Sequence, residues 1–134
     1  MTVTPGARPP VAVTLVTGPT ARAREAAIAA QLHHLSTEQV SPGTGAEAVI
    51  LEGLADAQSS LLPSPSLLIS RIAAGCLCCA GNLVLRVTLN RLLRQRPSRL
   101  FIGVARSEHL DQLRSWLQHP PYDQLLELTP DLNT

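Results

Sequence analysis

Four stretches of this chain are apolar almost without interruption: "VAVTLVTG" at 11–18, "AVILEGL" at 48–54, "SLLISRIAAG" at 66–75 and "RLFIGVA" at 99–105. A strand with one wet face alternates apolar and polar residues, whereas a continuous run belongs to a strand covered on both faces. Helix-patterned segments separate the runs. Residues 21–35 are Ala-rich, with Ala27, Ile28, Gln31, Leu32 and Leu35 on one stripe, and residues 82–96 align Leu85, Leu89, Leu92 and Leu93. A further helix is expected after Ser107, and "DQLLELT" at 123–129 reads as a fifth strand. The alternation predicts an α/β domain over 11–134: a three-layer arrangement with a mostly parallel sheet of about five strands, 11–16 in its centre. Residues 1–10, punctuated by Pro and Gly, read as a flexible lead-in.

Composition narrows the chemistry. With 134 residues and one each of Phe, Tyr and Trp, the core has to be built from Leu, Val, Ile and Ala. All 11 basic residues are arginine, so Schiff-base chemistry and a phosphate-binding lysine are excluded. A net charge of +1 gives no global field toward nucleic acid. The sequence shows no secretory signal pattern and no run of about 20 apolar residues that would span a membrane. Its three cysteines are odd in number and clustered, which points to a reducing, cytoplasmic setting rather than a disulfide framework.

In a parallel α/β sheet, sites gather in the loops that follow the strands' carboxyl ends. Two such loops stand out. In "LVTGPTARARE", Gly18 opens a strand-to-helix turn in the position of a phosphate-binding P-loop. At the offsets where that loop needs glycine, lysine and a hydroxyl stand Ala23, Arg24 and Glu25. A methyl group then crowds the backbone cradle, a planar guanidinium replaces a compact ammonium, and a carboxylate sits where magnesium would be held. The turn reads equally as a plain βα connection that never bound nucleotide.

The second loop, "AAGCLCCAGN", carries Cys76, Cys78 and Cys79 and no other cysteine exists in the chain. Thiolates are favoured ahead of a helix, and soft sulfur donors suit Zn²⁺ or Cu⁺. Neighbouring side chains diverge, so a closed site needs further donors, for which His33, His34, Glu52, Asp56 and His109 are the candidates. Glu52 and Asp56 also follow a strand end. A Cys76–Cys79 redox pair and a merely buried cluster are the competing readings.

Taken together and in this order, "LVTGPTARARE" and "GCLCC" resemble the CobW family of P-loop GTPases and metallochaperones. That family joins a "VTGFLGSGKTT"-like loop to a "GCxCC" metal motif. The resemblance extends over most of the chain but corresponds to the N-terminal half of a typical member. It implies a P-loop-NTPase-like fold, with Cys76, Cys78, Cys79 and Glu52 as metal ligands and zinc as the favoured ion. It also implies a metal chaperone, buffer or sensor, whose partner is a recipient metalloprotein or a full-length CobW-like protein. The departures at Ala23, Arg24 and Glu25, and Gly103 where the family has glutamate, imply that GTPase activity is lost and GTP is not a ligand. A pseudo-GTPase interaction subunit and a residual GTP-binding protein are the alternatives.

Overall fold

The computed structural model describes residues 10–38, 46–53, 61, 63–72, 83–105, 110–120 and 122–134, with backbone only for 34–38. Cys76, Cys78, Cys79, Asp56, His109, Asn82, Ser107 and the lead-in 1–9 lie outside the described residues, as does the His34 side chain.

The chain alternates strands and helices as its apolar runs predict. In order these are β1 (Val11–Thr17), α1 (Ala21–Glu38), β2 (Glu47–Glu52), β3 (Leu67–Ile72), α2 (Leu83–Arg94) and β4 (Arg99–Val104). They are followed by α3 (Leu110–Leu117), α4 (Tyr122–Leu125), β5 (Leu126–Leu128) and β6 (Leu132–Asn133). Among the described residues the named strands all pair in parallel, in the order β3-β2-β4-β1-β5, with β6 also on β1. Strand β1 is interior, yet β4 holds the middle of the five-strand path, a correction to the expectation that 11–16 would be central.

Two cores explain the continuous apolar runs. Successive strand side chains point to opposite faces. Val13 and Leu15, Ala48 and Ile50, and Leu100 and Ile102 meet Leu85, Leu89 and Leu92 of α2 and Leu113 and Leu117 of α3. Val16, Val49, Leu51 and Phe101 face the other way, onto Ile28, Ala27 and Leu32 of α1. The sheet therefore lies between two helical layers, the three-layer arrangement the sequence implies. Among the described residues no helix is long and apolar enough to cross a membrane.

Three local outcomes differ from the sequence expectation. Helix α1 runs on to Glu38. The segment at 123–129 is divided: Tyr122–Leu125 form a helical turn and only Leu126–Leu128 pair with β1. Pro130, which has no backbone N–H to donate, then lies between β5 and β6 on the same edge of β1. Helix α2 stops at Arg94, and the tightened turn that follows places Arg96 at a φ of 56°.

A left-handed conformation is disfavoured for a residue with a Cβ, and helix ends usually place glycine there. Arg96→Gly is expected to raise the free energy of unfolding by about 1 kcal/mol, measured by urea denaturation. A loss of stability on that substitution would show that the Arg96 side chain contributes more than its backbone costs.

Candidate functional site at the strand ends

The stripe that α1 turns inward does not begin with apolar residues. Arg24 and Glu25 precede Ile28 on it by one helical turn, and both are buried, at 7% and 2% exposure. Thr20 caps the helix: its hydroxyl oxygen accepts from the Ala23 amide at 3.0 Å, and its carbonyl accepts from the Arg24 amide at 3.1 Å. The first turn is thereby fixed, and the two charged side chains are carried into the protein at the carboxyl ends of the strands.

Each finds internal partners there. Arg24 folds back and donates from Nη1 to the Gly18 carbonyl at 2.7 Å. Burial pulls its guanidinium below the ordinary arginine range, while the charges of Glu52 and then Glu25 push it back up. Glu25 accepts two bonds from Arg71 on β3, at 3.2 and 3.3 Å. Glu52, the last residue of β2, accepts from the Ala105 amide beyond the end of β4 at 2.8 Å. The rim is thus continuous from Arg71 through Glu52 and Ala105 to Gly18 and Arg24, following the strand order β3-β2-β4-β1.

The P-loop offsets are therefore occupied by groups that serve the protein itself. The carboxylate of Glu25, which the sequence left without an evident counter-charge, has one in Arg71. Gly18 is a glycine for a packing reason as well. A Cβ there would lie 1.9 Å from the Thr134 hydroxyl oxygen and 3.2 Å from Cγ of Arg24. Thr134 is held in place by its amide and its hydroxyl, both donating to the Thr17 carbonyl at 2.9 and 3.2 Å. Thr17 in turn donates to the Asn133 side chain. Gly103 sits inside β4, where a Cβ would come within 3.1 Å of Leu51 and 3.9 Å of Ile28. A glutamate in its place would face the apolar core under α1.

Of the metal-ligand candidates, Glu52 is at this rim. Ile72, its register partner on β3, is the last described residue before the cysteine loop, and Cys76 follows four positions later. His33 is not brought there: twelve residues into α1, it lies roughly 18 Å along the helix axis from Ala21, at about 1.5 Å per residue. Among the described residues no group of three His, Cys, Asp or Glu side chains could hold an ion. Sequence reasoning missed Arg71 and Thr134, whose partners are 46 and 117 positions away. The available signal was the pair of charges standing at the start of an otherwise apolar helical stripe.

Comparison with known proteins adds one relationship. The chain is 36% identical over 74 residues to the zinc chaperone YeiR of Escherichia coli (strain K12), a match covering 54% of this chain and 23% of that protein. The matched region is thus under a quarter of the relative's length. No protein-family model matches, and neither does any solved structure. The chain is thus similar, over about half its length, to a zinc chaperone.

Because Glu25 is almost fully enclosed, removing its partner should be costly. Arg71→Met is expected to lower the unfolding free energy by about 3 kcal/mol, the low end for a broken buried pair because Arg71 keeps some exposure. The double variant Glu25→Gln/Arg71→Met should regain part of that loss. A single variant within about 0.5 kcal/mol of wild type would mean that the pair carries no structural weight.

Proposed function

We propose that this chain is a metal-binding domain of the CobW type, most suited to zinc, that works without GTP hydrolysis. The observation that carries the reading is the clustering of all three thiols of the sequence within four positions, Cys76 to Cys79. The three follow, four to seven positions on, from Ile72, the last residue of β3 and the register partner of Glu52, and in α/β proteins the segments after the strands' carboxyl ends are where ligands are held. The part-length similarity to a zinc chaperone supports it. Thiolates from at least two of Cys76, Cys78 and Cys79, completed by a carboxylate, form a donor set that zinc accepts. Glu52 suits the role because it ends β2 at this rim, where the Ala105 amide orients its carboxylate. The ion would be cargo or signal, passed to a recipient metalloprotein or shared with a full-length CobW-like partner, in a cytoplasmic setting and without nucleic acid.

The nucleotide half of the proposal rests on the filled cradle. Arg24 already bonds the Gly18 carbonyl and Glu25 already bonds Arg71, so a triphosphate would have to displace two internal contacts and meet a buried carboxylate. No GTP turnover is expected, nor micromolar binding of a GTP analogue with Mg²⁺. Glu25→Thr should not restore turnover, because no lysine is present. Hydrolysis or micromolar binding by the purified chain would overturn this part.

A second reading, a pseudo-GTPase that docks on a partner protein, is favoured by Leu83, Val84 and Val87, which α2 leaves exposed. It predicts complex formation indifferent to zinc.

The metal proposal is tested by titrating the reduced protein with Zn²⁺ against a modest chelator. Wild type should retain the ion and the triple variant Cys76→Ser/Cys78→Ser/Cys79→Ser should not. Retention should fall with pH as protons compete for the sulfurs. Glu52→Ala should weaken binding by about tenfold while leaving the circular dichroism spectrum intact. No retention by wild type, or equal retention by the serine variant, would remove zinc binding from the account.

A further inference from the structure

At the opposite edge of the sheet lies a cleft of about 330 Å³, lined by Arg86 and Asn90 of α2, Trp116 of α3, and His119, Pro120 and Tyr122. Its size falls at the lower end of small-molecule sites, which run from about 300 to 1,000 Å³. Strand β5 begins at Leu126 opposite Val11, the first residue of β1, so Tyr122 is at the amino-terminal edge, away from Gly18 and Glu52.

We propose that this cleft binds a small planar anion, an aromatic carboxylate, with its ring on Trp116 and Tyr122 and its charge on Arg86. Two of the chain's three aromatic residues are gathered here, their ring centroids 4.9 Å apart and the planes tilted by 44°. In a core built from aliphatic side chains, that concentration creates an angled, polarisable wall against which a ring can pack. The wall is fixed in advance: Tyr122 is buried and its hydroxyl donates to Oδ1 of Asn90 at 2.9 Å, tying α4 to α2. His119 donates from Nδ1 to the Ser115 carbonyl, which sets the orientation of its ring.

The charge of the lining selects the ligand's sign. Among the described residues it contains an arginine and a histidine and no acidic residue. Arg86 is exposed and, among the described residues, makes no ion pair. Its charge reaches the Tyr122 hydroxyl, where it opposes the rise in pKa that burial causes. A guanidinium beside an aromatic wall matches a carboxylate carried on a ring, because its planar fork can donate two parallel bonds. The inference is independent of the metal proposal, since it uses none of the residues at the strand-end rim.

Trp116 is the chain's only tryptophan, so its indole N–H gives a single assignable NMR resonance. The chain is titrated with 2-naphthoate and, separately, with its neutral isostere 2-naphthamide. The expected result is a saturable shift of the indole resonance with 2-naphthoate and affinity about tenfold lower for the amide, the worth of one charge-assisted contact. Arg86→Met, at an exposed position, should abolish that preference. Equal affinity for the two probes, no saturation by about 10 mM (the range of a very weak site), or an unchanged preference in Arg86→Met would overturn the proposal. The comparison of probes on wild type decides the matter even if the variant does not fold.

Discussion

A carboxylate removed from water must be matched by charge and hydrogen bonds, and Glu25 of this protein is 2% exposed. Its match is Arg71, which reaches it from β3, the strand at the far edge of the β3-β2-β4-β1 order. Two unit charges about 4 Å apart attract by about 4 kcal/mol at an effective dielectric of 20. That attraction is set against the cost of enclosing both groups, so the pair is better understood as a constraint on geometry than as a source of stability. It ties the first turn of α1 to the edge strand. Arg24, bonded to the Gly18 carbonyl and held between the charges of Glu52 and Glu25, ties the same turn back to β1. The whole rim is fixed by charges the protein supplies for itself.

That arrangement gives Arg24 and Glu25 a structural reason to stand at the offsets where a phosphate loop has lysine and a hydroxyl. In a P-loop the first helical turn is organised around phosphate, magnesium and a lysine. Here the same turn is organised around Arg71 and the Gly18 carbonyl, with Thr134 pressed against Gly18. Gly18 and Gly103 both have packing explanations, so neither requires a nucleotide. The proposed division of labour follows: the rim keeps its shape without nucleotide, and the three cysteines are left to handle an ion.

The layers and the parallel sheet were legible because burial on both faces leaves a direct imprint, the unbroken apolar run. The inner face of α2 was legible because Leu85, Leu89 and Leu92 recur at helical spacing. The Glu25–Arg71 pair was not, since nothing local links residues 46 positions apart and only the fold brings β3 over the start of α1. The helical turn at Tyr122–Leu125 was hidden because "DQLLEL" satisfies a short helix and a buried strand equally well, and the anchoring of Tyr122 on Asn90 lies outside the segment. Glu52 was placed correctly at a strand end; the cysteines it is proposed to join lie outside the described residues.

If the cradle is closed by its own ion pair and hydrogen bond, metal binding and nucleotide are thermodynamically unlinked, because a ligand shifts another's affinity only through a differential effect of its own. The direct measurement is the zinc affinity of the reduced chain by competition with a chromogenic chelator, with and without saturating GTP. Magnesium is held constant, and binding of zinc by the nucleotide is subtracted from a protein-free control. The account predicts the same affinity in both titrations. A change of about tenfold in either direction, equivalent to a coupling of about 1.4 kcal/mol, would show that nucleotide still reaches the rim and would contradict it.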